Sequence, residues 1–143
     1  MYDNAVIIDS NFILLPFQFK IDYFKEIYLM LEGKTCFIIF KQILNELEAK
    51  RKRDSRANKF YMQLKSGLSY LDLNKDKYNI VFDNSVKLEN DTTDTFLIMQ
   101  CDKLKLKYKH VFLATNDSIL RKQAKSFGIS TIFLRQQRYL SID

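Results

Sequence analysis

Residues 5–9, Ala-Val-Ile-Ile-Asp, are the stretch that decides the fold. An unbroken, short and largely β-branched apolar run predicts a strand that is buried on both faces, as in a parallel sheet. The run ends in Asp9, an acid at the carboxyl end of the strand. Ligands of open parallel sheets bind at that edge. Asp9 is therefore a candidate site residue. The alternative is a turn residue that caps the next segment, because Asp-Ser-Asn is common turn chemistry.

Strand-like and helix-like segments alternate along the rest of the chain. The predicted strands are 5–9, 35–40, 79–82, 109–115 and 131–134, and the predicted helices are 21–32, 42–52, 55–70, 92–106 and 117–127. This alternation predicts an α/β fold, a three-layer α/β/α sandwich with a central parallel sheet. With 143 residues, the chain is expected to form one domain, 1–143.

Several local features carry expectations of their own. Pro16 predicts that the apolar segment 14–19 is a loop. Gly33 is expected to end the first helix at its C′ position, and Asp91 to cap the helix that starts near residue 92. Segments 14–19 and 135–140 serve either a homodimer contact or packing within the chain.

Composition narrows the class of protein. The formal charge of +6 favours an anionic partner, and 47% hydrophobic residues suffice for a core. No apolar run approaches the roughly 18 residues of a membrane span, and the first residues lack a secretory signal. Cys36 and Cys101 are isolated, which predicts reduced core thiols in a cytoplasmic protein. His110 is the only histidine, so histidine-based catalysis and a histidine-rich zinc site are not expected.

Three further acids belong to apolar elements. Asp94 shares the spacing of Leu97, Ile98 and Cys101, which puts it on a core-facing helix stripe. Placement of negative charge at a helix start is the alternative. Asp117 lies in line with Leu120 and Ala124, with an N-cap role as its alternative. Glu46 and Glu48 flank the stripe Ile43-Leu44-Leu47 on opposite margins, and helical geometry alone does not choose between them.

Four segments in this order resemble a PIN domain. They are Val6-Ile7-Ile8-Asp9-Ser10-Asn11, Ile43-Leu44-Asn45-Glu46-Leu47-Glu48, Asp94-Thr95-Phe96-Leu97-Ile98 and Ala114-Thr115-Asn116-Asp117. Residues 9–19 and 132–135 look closest to archaeal and eukaryotic PIN proteins similar to small-subunit rRNA-processing factors. Toxins of the VapC type share the four-acid core.

The resemblance implies a metal-dependent RNA endonuclease, with Mg²⁺ or Mn²⁺ as cofactor. Its catalytic and metal-binding residues would be Asp9, Glu46, Asp94 and Asp117, and the family pattern selects Glu46 over Glu48. Hard cations of this kind prefer oxygen ligands and retain several waters. One departure is that relatives often have paired acids where this chain has Thr93-Asp94.

Polar and basic neighbours complete the predicted site. Residues expected to hold the carboxylates, with turn and cap roles as the alternative, are Ser10, Asn11, Thr115 and Asn116. Residues expected to contact RNA are Lys50, Arg51, Lys52, Arg53, Arg56 and Lys59, with Lys41, Arg121 and Lys122 as further candidates. The alternative for the basic cluster is an ordinary solvated face.

Two rival classes are weighed against a nuclease. The first is a catalytically weak or inactive PIN scaffold that binds RNA or ribosome-assembly partners. The second is a flavodoxin-like or phosphatase domain, which is disfavoured because Asp9-Ser10-Asn11 lacks a second acid and the chain has no glycine-rich phosphate loop. An antitoxin partner is expected only if the protein is a toxin, and the sequence does not separate that role from rRNA processing.

Overall fold

The chain alternates between strands and helices throughout the part that the computed structural model describes, residues 2–54 and 58–143. The strands in this part are β1 (Asn4–Ile8), β2 (Thr35–Phe40), β3 (Asn79–Asp83), β4 (His110–Ala114), β5 (Ser130–Arg135) and β6 (Tyr139–Ile142). The helices are α1 (Ser10–Ile13), α2 (Leu15–Phe19), α3 (Tyr23–Met30), α4 (Lys41–Arg53), α5 (Asn58–Asn74), α6 (Thr93–Leu104) and α7 (Ser118–Ser126).

The six strands form one sheet in the order β3-β2-β1-β4-β5-β6. Every residue of β1 and β2 is buried, because helices cover both faces of the sheet. The predicted α/β sandwich with a central parallel sheet is confirmed. The edge strand β6 is not parallel to the others, because it pairs with β5 in the antiparallel direction. The sequence patterns do not predict this strand. Segment 135–140 therefore packs within the chain, as the turn into β6 and its first residues.

β1 lies at the point where the strand order changes direction. The chain adds β2 and β3 on one side of β1, then returns to add β4 and β5 on the other. Ile8 pairs with Ala114, and the Asp9 amide donates to the Ala114 carbonyl at 3.0 Å. The residues after β1 and β4 are thereby held side by side at the topological switch point, where open α/β sheets bind ligands.

Two predictions about the first helices are wrong. Segment 14–19 is not a loop, because residues 15–19 form α2 with Pro16 in its first turn. Proline is tolerated there, since the first amides of a helix have no partner in any case. Gly33 does not occupy the C′ position: α3 ends at Met30, and Leu31 is already extended. Gly33 has φ +88° and serves the turn that precedes β2.

The start of α6 also differs from expectation. Thr92, not Asp91, is the N-cap residue, and its hydroxyl accepts a hydrogen bond from the Thr95 amide at 3.1 Å. The predicted start of the 55–70 helix lies outside the described residues, and α5 is described from Asn58 onward.

The structure places both cysteines as the sequence predicts. Cys36 and Cys101 are free and buried, as predicted, and burial raises the pKa of the Cys101 thiol to about 12. Among the helices of the described residues, none is both long enough and apolar enough to cross a membrane.

Gly67 fixes how closely α5 approaches α1. A Cβ atom at this position would lie 2.1 Å from the Ile13 carbonyl oxygen, a backbone atom that has little room to move. We expect Gly67→Ala to lower the free energy of unfolding by about 1–3 kcal/mol through overpacking, measured by urea denaturation. Ser69→Ala, at an exposed position of the same helix, is the control. Equal stability of the two variants would contradict this account of the α1–α5 contact.

Candidate active site

Asp9 is buried at the end of β1 and both of its carboxylate oxygens accept hydrogen bonds. Oδ1 accepts from the Ser10 amide at 2.7 Å. Oδ2 accepts from the Thr115 hydroxyl at 2.6 Å and from the Asn11 side-chain amide at 3.1 Å. Asp9 also serves as the N-cap of α1. The turn role weighed for Asp9 is therefore present, and the carboxylate still has acceptor capacity for a further ligand.

Thr115 connects three of the predicted site residues. Its hydroxyl group is fully buried, donates to Asp9, and accepts from the Asp117 amide at 3.1 Å and the Asn11 side chain at 3.3 Å. Asn116 is tied in as well, because its amide donates to Asn11 Oδ1 at 3.0 Å and its own Oδ1 accepts from the Leu134 amide at 2.7 Å. The polar residues after β1 and β4 thus form one hydrogen-bonded network around Asp9.

Asp117 starts α7. Its Oδ1 accepts hydrogen bonds from the amides of Ile119 at 2.9 Å and Leu120 at 3.2 Å. The N-cap role predicted as an alternative is therefore present. Both bonds end on the same oxygen, so the cap does not use Oδ2.

Thr93 links α6 to α4. The Thr93 hydroxyl donates a hydrogen bond to Glu46, which brings that carboxylate to the start of α6 beside Asp94. Glu48 instead pairs with Arg51 on its own helix. The structure thus distinguishes Glu46, which lies near the acids, from Glu48, whereas helical periodicity alone did not choose between them. Thr93 was not predicted as a contact, because a threonine at a helix start most often serves only as a cap.

The four acids are electrostatically coupled. Burial raises the pKa of the Asp9 carboxyl, and repulsion from Asp94 and Asp117 raises it further, against the lowering effect of the hydrogen bonds from Thr115 and Ser10. Burial also raises the pKa of Asp94, with added repulsion from Asp117 and Glu46. Asp94 and Asp117 therefore lie near Asp9, and Asp117 and Glu46 lie near Asp94, at the carboxyl edge of the sheet.

This donor set suits a hard divalent cation. All four groups are carboxylates, the ligand type that Mg²⁺ and Mn²⁺ prefer, and a cation would relieve their mutual repulsion. Within residues 2–54 and 58–143, no three acidic, histidine or cysteine side chains are placed to surround one ion. An ion here would accordingly be held partly through water molecules, as is usual for Mg²⁺.

A cleft of about 450 Å³ adjoins the acids along α4 and α5. Ser10, Asn11 and Glu46 line the end of the cleft nearest the acids, and Lys50 and Arg53 supply its basic side chains. Positions 46, 50 and 53 share one helix face because they are spaced by four and three residues. The acid Glu46 and the basic Lys50 and Arg53 therefore line the same cleft.

The other predicted RNA contacts among the described residues do not line this cleft. Arg51 is paired with Glu48, Lys52 and Lys59 are exposed and do not line the cleft, and Arg56 lies outside the described residues. Of the three further candidates, Lys41 and Lys122 are exposed. The Arg121 guanidinium forms an ion pair with Asp143, and its Cζ lies 3.5 Å from the centroid of the Phe133 ring.

Comparison with known proteins assigns the fold to a family. A family model described as a PIN-like domain matches residues 6–137. The chain therefore belongs to the PIN-like domain family, whose members are in general nucleases that use divalent metal ions.

Solved structures show the same fold. The PIN domain endonuclease Utp24 superposes with a TM-score of 0.64 at 22% identity, covering 97% of this chain and 90% of that one. A domain of a functionally unknown protein from Methanocaldococcus jannaschii DSM 2661 superposes with a TM-score of 0.63 at 14% identity, covering 92% and 91%. A search of curated proteins gave no match.

Thr115→Val tests the network around Asp9. The change removes a buried donor to Asp9 and leaves the Asp117 amide without its acceptor, so we expect a loss of about 1–3 kcal/mol in the free energy of unfolding. Thr115→Ser keeps the hydroxyl and should lose clearly less. Urea denaturation measures both; a Val variant at least as stable as the Ser variant would contradict the network.

Asp94→Asn tests the charge repulsion in metal-free buffer. A raised pKa means that folded Asp94 binds its proton more tightly than the unfolded chain does, so stability is lost as pH rises from about 4 through the folded pKa. We expect Asp94→Asn to be more stable than the wild type at pH 7 in EDTA, with the difference shrinking towards pH 4. A difference that does not change with pH, measured by urea unfolding, would contradict the coupling.

Proposed function

We propose that the protein is a metal-dependent endoribonuclease that hydrolyses phosphodiester bonds with Mg²⁺ or Mn²⁺. One observation carries the proposal: acids converge at the switch point of a PIN-like sheet. The charges of Asp94 and Asp117 help to raise the pKa of Asp9, and those of Asp117 and Glu46 help to raise the pKa of Asp94. Asp9 is buried and Asp94 is half-buried, and a charged carboxylate in such a place is unfavourable unless a cation neutralises it. Members of the PIN-like family are in general nucleases that use a divalent cation, which supports phosphodiester cleavage as the reaction.

Each acid has a role in this proposal. Asp9, Asp94 and Asp117 would hold the ion, directly or through its waters. Glu46, which accepts the Thr93 hydrogen bond, would complete the pocket or orient the attacking water. When bound, a divalent ion lowers the pKa of its water and stabilises the negative charge on the phosphate.

The hydrogen-bonded residues keep the acids in position. Thr115 and Asn11 hold Asp9 through its Oδ2, and Ser10 holds it through Oδ1. Neighbours that orient metal ligands are commonly worth 10–100-fold in metal affinity or activity, as an order of magnitude. Ser10, Asn11, Thr115 and Asn116 would act in this way, as positioning residues rather than as catalytic ones.

RNA is the proposed substrate, and rRNA processing is the proposed setting. The resemblance of residues 9–19 and 132–135 to rRNA-processing PIN proteins supports that setting, and so does the fold shared with the PIN domain endonuclease Utp24. A toxin-type ribonuclease would use the same four acids. An antitoxin gene beside this one would favour the toxin, and a ribosome-assembly partner would favour processing.

A second candidate is an RNA-binding scaffold with little activity. Two points favour it. By the resemblance, PIN proteins often have paired acids where this chain has Thr93-Asp94, and no three acids of the described residues are placed to hold one ion. A scaffold would bind RNA with strong salt dependence yet show neither cleavage nor metal binding.

Asp9→Asn decides between the two functions. We expect the wild type to cleave single-stranded or structured RNA in Mn²⁺, and Asp9→Asn to lose roughly 100-fold or more, since even the loss of a neighbour of a metal ligand costs about 10–100-fold. Asp72→Asn, an exposed acid on α5, is the matched control and should keep full activity. Equal cleavage by wild type and Asp9→Asn would refute the catalytic assignment.

A further inference from the structure

The outer edge of β3 has no strand beside it within the described residues. β3 ends the sheet on one side, and of the strands described only β2 pairs with it, in an unbroken parallel register. Such an edge presents unpaired N–H and C=O groups, which proteins usually protect with lysine, proline, a bulge or a covering segment. Residues 79–83, Asn-Ile-Val-Phe-Asp, contain neither lysine nor proline, and their pairing with β2 has no bulge. The edge is therefore able to accept another strand.

Apolar surface is exposed along the same edge. Val81 and Phe82 are 40% and 48% exposed, whereas every residue of the neighbouring β2 is buried. Successive residues of a strand point to opposite faces of the sheet, so the edge is open on both faces. Val86 and Leu88, which follow the strand, are exposed as well. Apolar surface gathered beside an open edge is typical of an interaction site.

The sequence of β3 is complementary to itself when two copies run antiparallel. A two-fold axis perpendicular to the sheet keeps each side chain on its own face, so one residue must face its own copy at the axis. With Val81 at the axis, Ile80 faces Phe82 of the second copy, and Asn79 faces Asp83. Apolar side chains then meet in the middle of the paired strands, and an amide meets a carboxylate at each end.

The charges next to β3 favour the same pairing. Lys77 precedes the strand by two residues, so it would lie diagonally across from Asp83 of the second copy, within reach of a long side chain. Within the described residues, neither Lys77 nor Asp83 forms an ion pair. The two Asp83 carboxylates would lie at opposite ends of the paired strands. This charge complementarity points to a second copy of the chain as the occupant of the edge.

We propose that β3 is a homodimer interface, at which two copies pair antiparallel about a two-fold axis at Val81 and form one continuous sheet. Strand addition of this kind takes its affinity from main-chain hydrogen bonds and its specificity from the side chains that alternate along the strand. Antiparallel pairing reverses the strand direction, so the carboxyl edges of the two sheets point in opposite directions. The acid clusters at those edges therefore stay open. The proposal does not depend on the endoribonuclease assignment.

Val81→Lys tests the interface. Because only five residues a side pair in it, we expect a weak dimer, with a Kd on the order of 10–100 μM. Val81→Lys places two ammonium groups against each other and should raise the Kd by about ten-fold or more. Ile142→Lys is the matched control and should leave the Kd unchanged, because Ile142 is similarly exposed, at 41%, on the other edge strand β6. Sedimentation equilibrium at concentrations on both sides of the expected Kd measures all three proteins.

A cysteine at the axis tests the register. Directly opposed residues of antiparallel strands have Cα atoms about 4.5–5.5 Å apart, within the range of roughly 4.4–6.8 Å that a disulfide spans. After mild oxidation, Val81→Cys should run as a covalent dimer on a non-reducing gel, since the native Cys36 and Cys101 are buried. Ile142→Cys should remain a monomer under the same conditions.

A charge exchange tests the ends of the paired strands. Lys77→Asp would put an acid near Asp83 of the second copy and should raise the Kd by about three-fold or more. Adding Asp83→Lys restores opposite charges and should return the Kd towards that of the wild type. A double variant that dimerises no better than Lys77→Asp alone would contradict this pairing.

Three results would overturn the proposal: a wild type that stays monomeric throughout, an equal response to Val81→Lys and Ile142→Lys, or no covalent dimer of Val81→Cys. An edge reserved for a strand of another protein would give the first of them. Val81→Lys should cleave RNA as the wild type does, because the interface lies away from the acids. An active, monomeric wild type would remove the dimer and leave the nuclease. A dimer without cleavage would remove the nuclease and leave the dimer.

Discussion

The hydrogen bond from the Thr115 hydroxyl to Asp9 is the contact on which the site depends. It is buried, 2.6 Å long, and joins residues 106 positions apart. Parallel pairing of β1 with β4 brings their carboxyl ends together, so the bond becomes possible only once the sheet has formed. The same hydroxyl then accepts from the Asp117 amide, which also sets the start of α7. One threonine therefore couples strand register to the placement of two acids.

The fold holds the acids near one another although burial and mutual repulsion disfavour their charged forms. Burial and repulsion raise the pKa of Asp9 and of Asp94, which means that the metal-free protein carries an electrostatic strain at neutral pH. Perturbed pKa values of this kind cluster at functional sites. In the proposed nuclease, a bound divalent cation would relieve that repulsion. Lys50 and Arg53 lie one and two helical turns beyond Glu46 on α4, where they would attract a polyanion in the proposed nuclease.

Sequence patterns predict the parts of this fold that burial controls. β1 and β2 were found because strands covered on both faces are continuous apolar runs. β6 was missed because an edge strand of four residues with mixed exposure carries no such run. The segment 14–19, predicted as a loop, contains a helix because Pro16 lies in its first turn. There the missing amide hydrogen has no partner to lose, so proline is compatible with the start of a helix. In the site, the Thr93–Glu46 contact spans 47 residues of sequence. Long-range contacts of this kind leave no periodicity to detect.

The most direct test of the central claim is where a paramagnetic ion binds. Substoichiometric Mn²⁺ added to ¹⁵N-labelled protein at pH 7 should first broaden the amide signals of Ser10, Asp94, Thr115 and Asp117, and Asp9→Asn should abolish that selectivity. This result would show that the carboxylates at the ends of β1 and β4 and at the start of α6 form one metal site. Broadening centred on the surface acids of α5, or equal broadening in wild type and Asp9→Asn, would contradict the existence of that site.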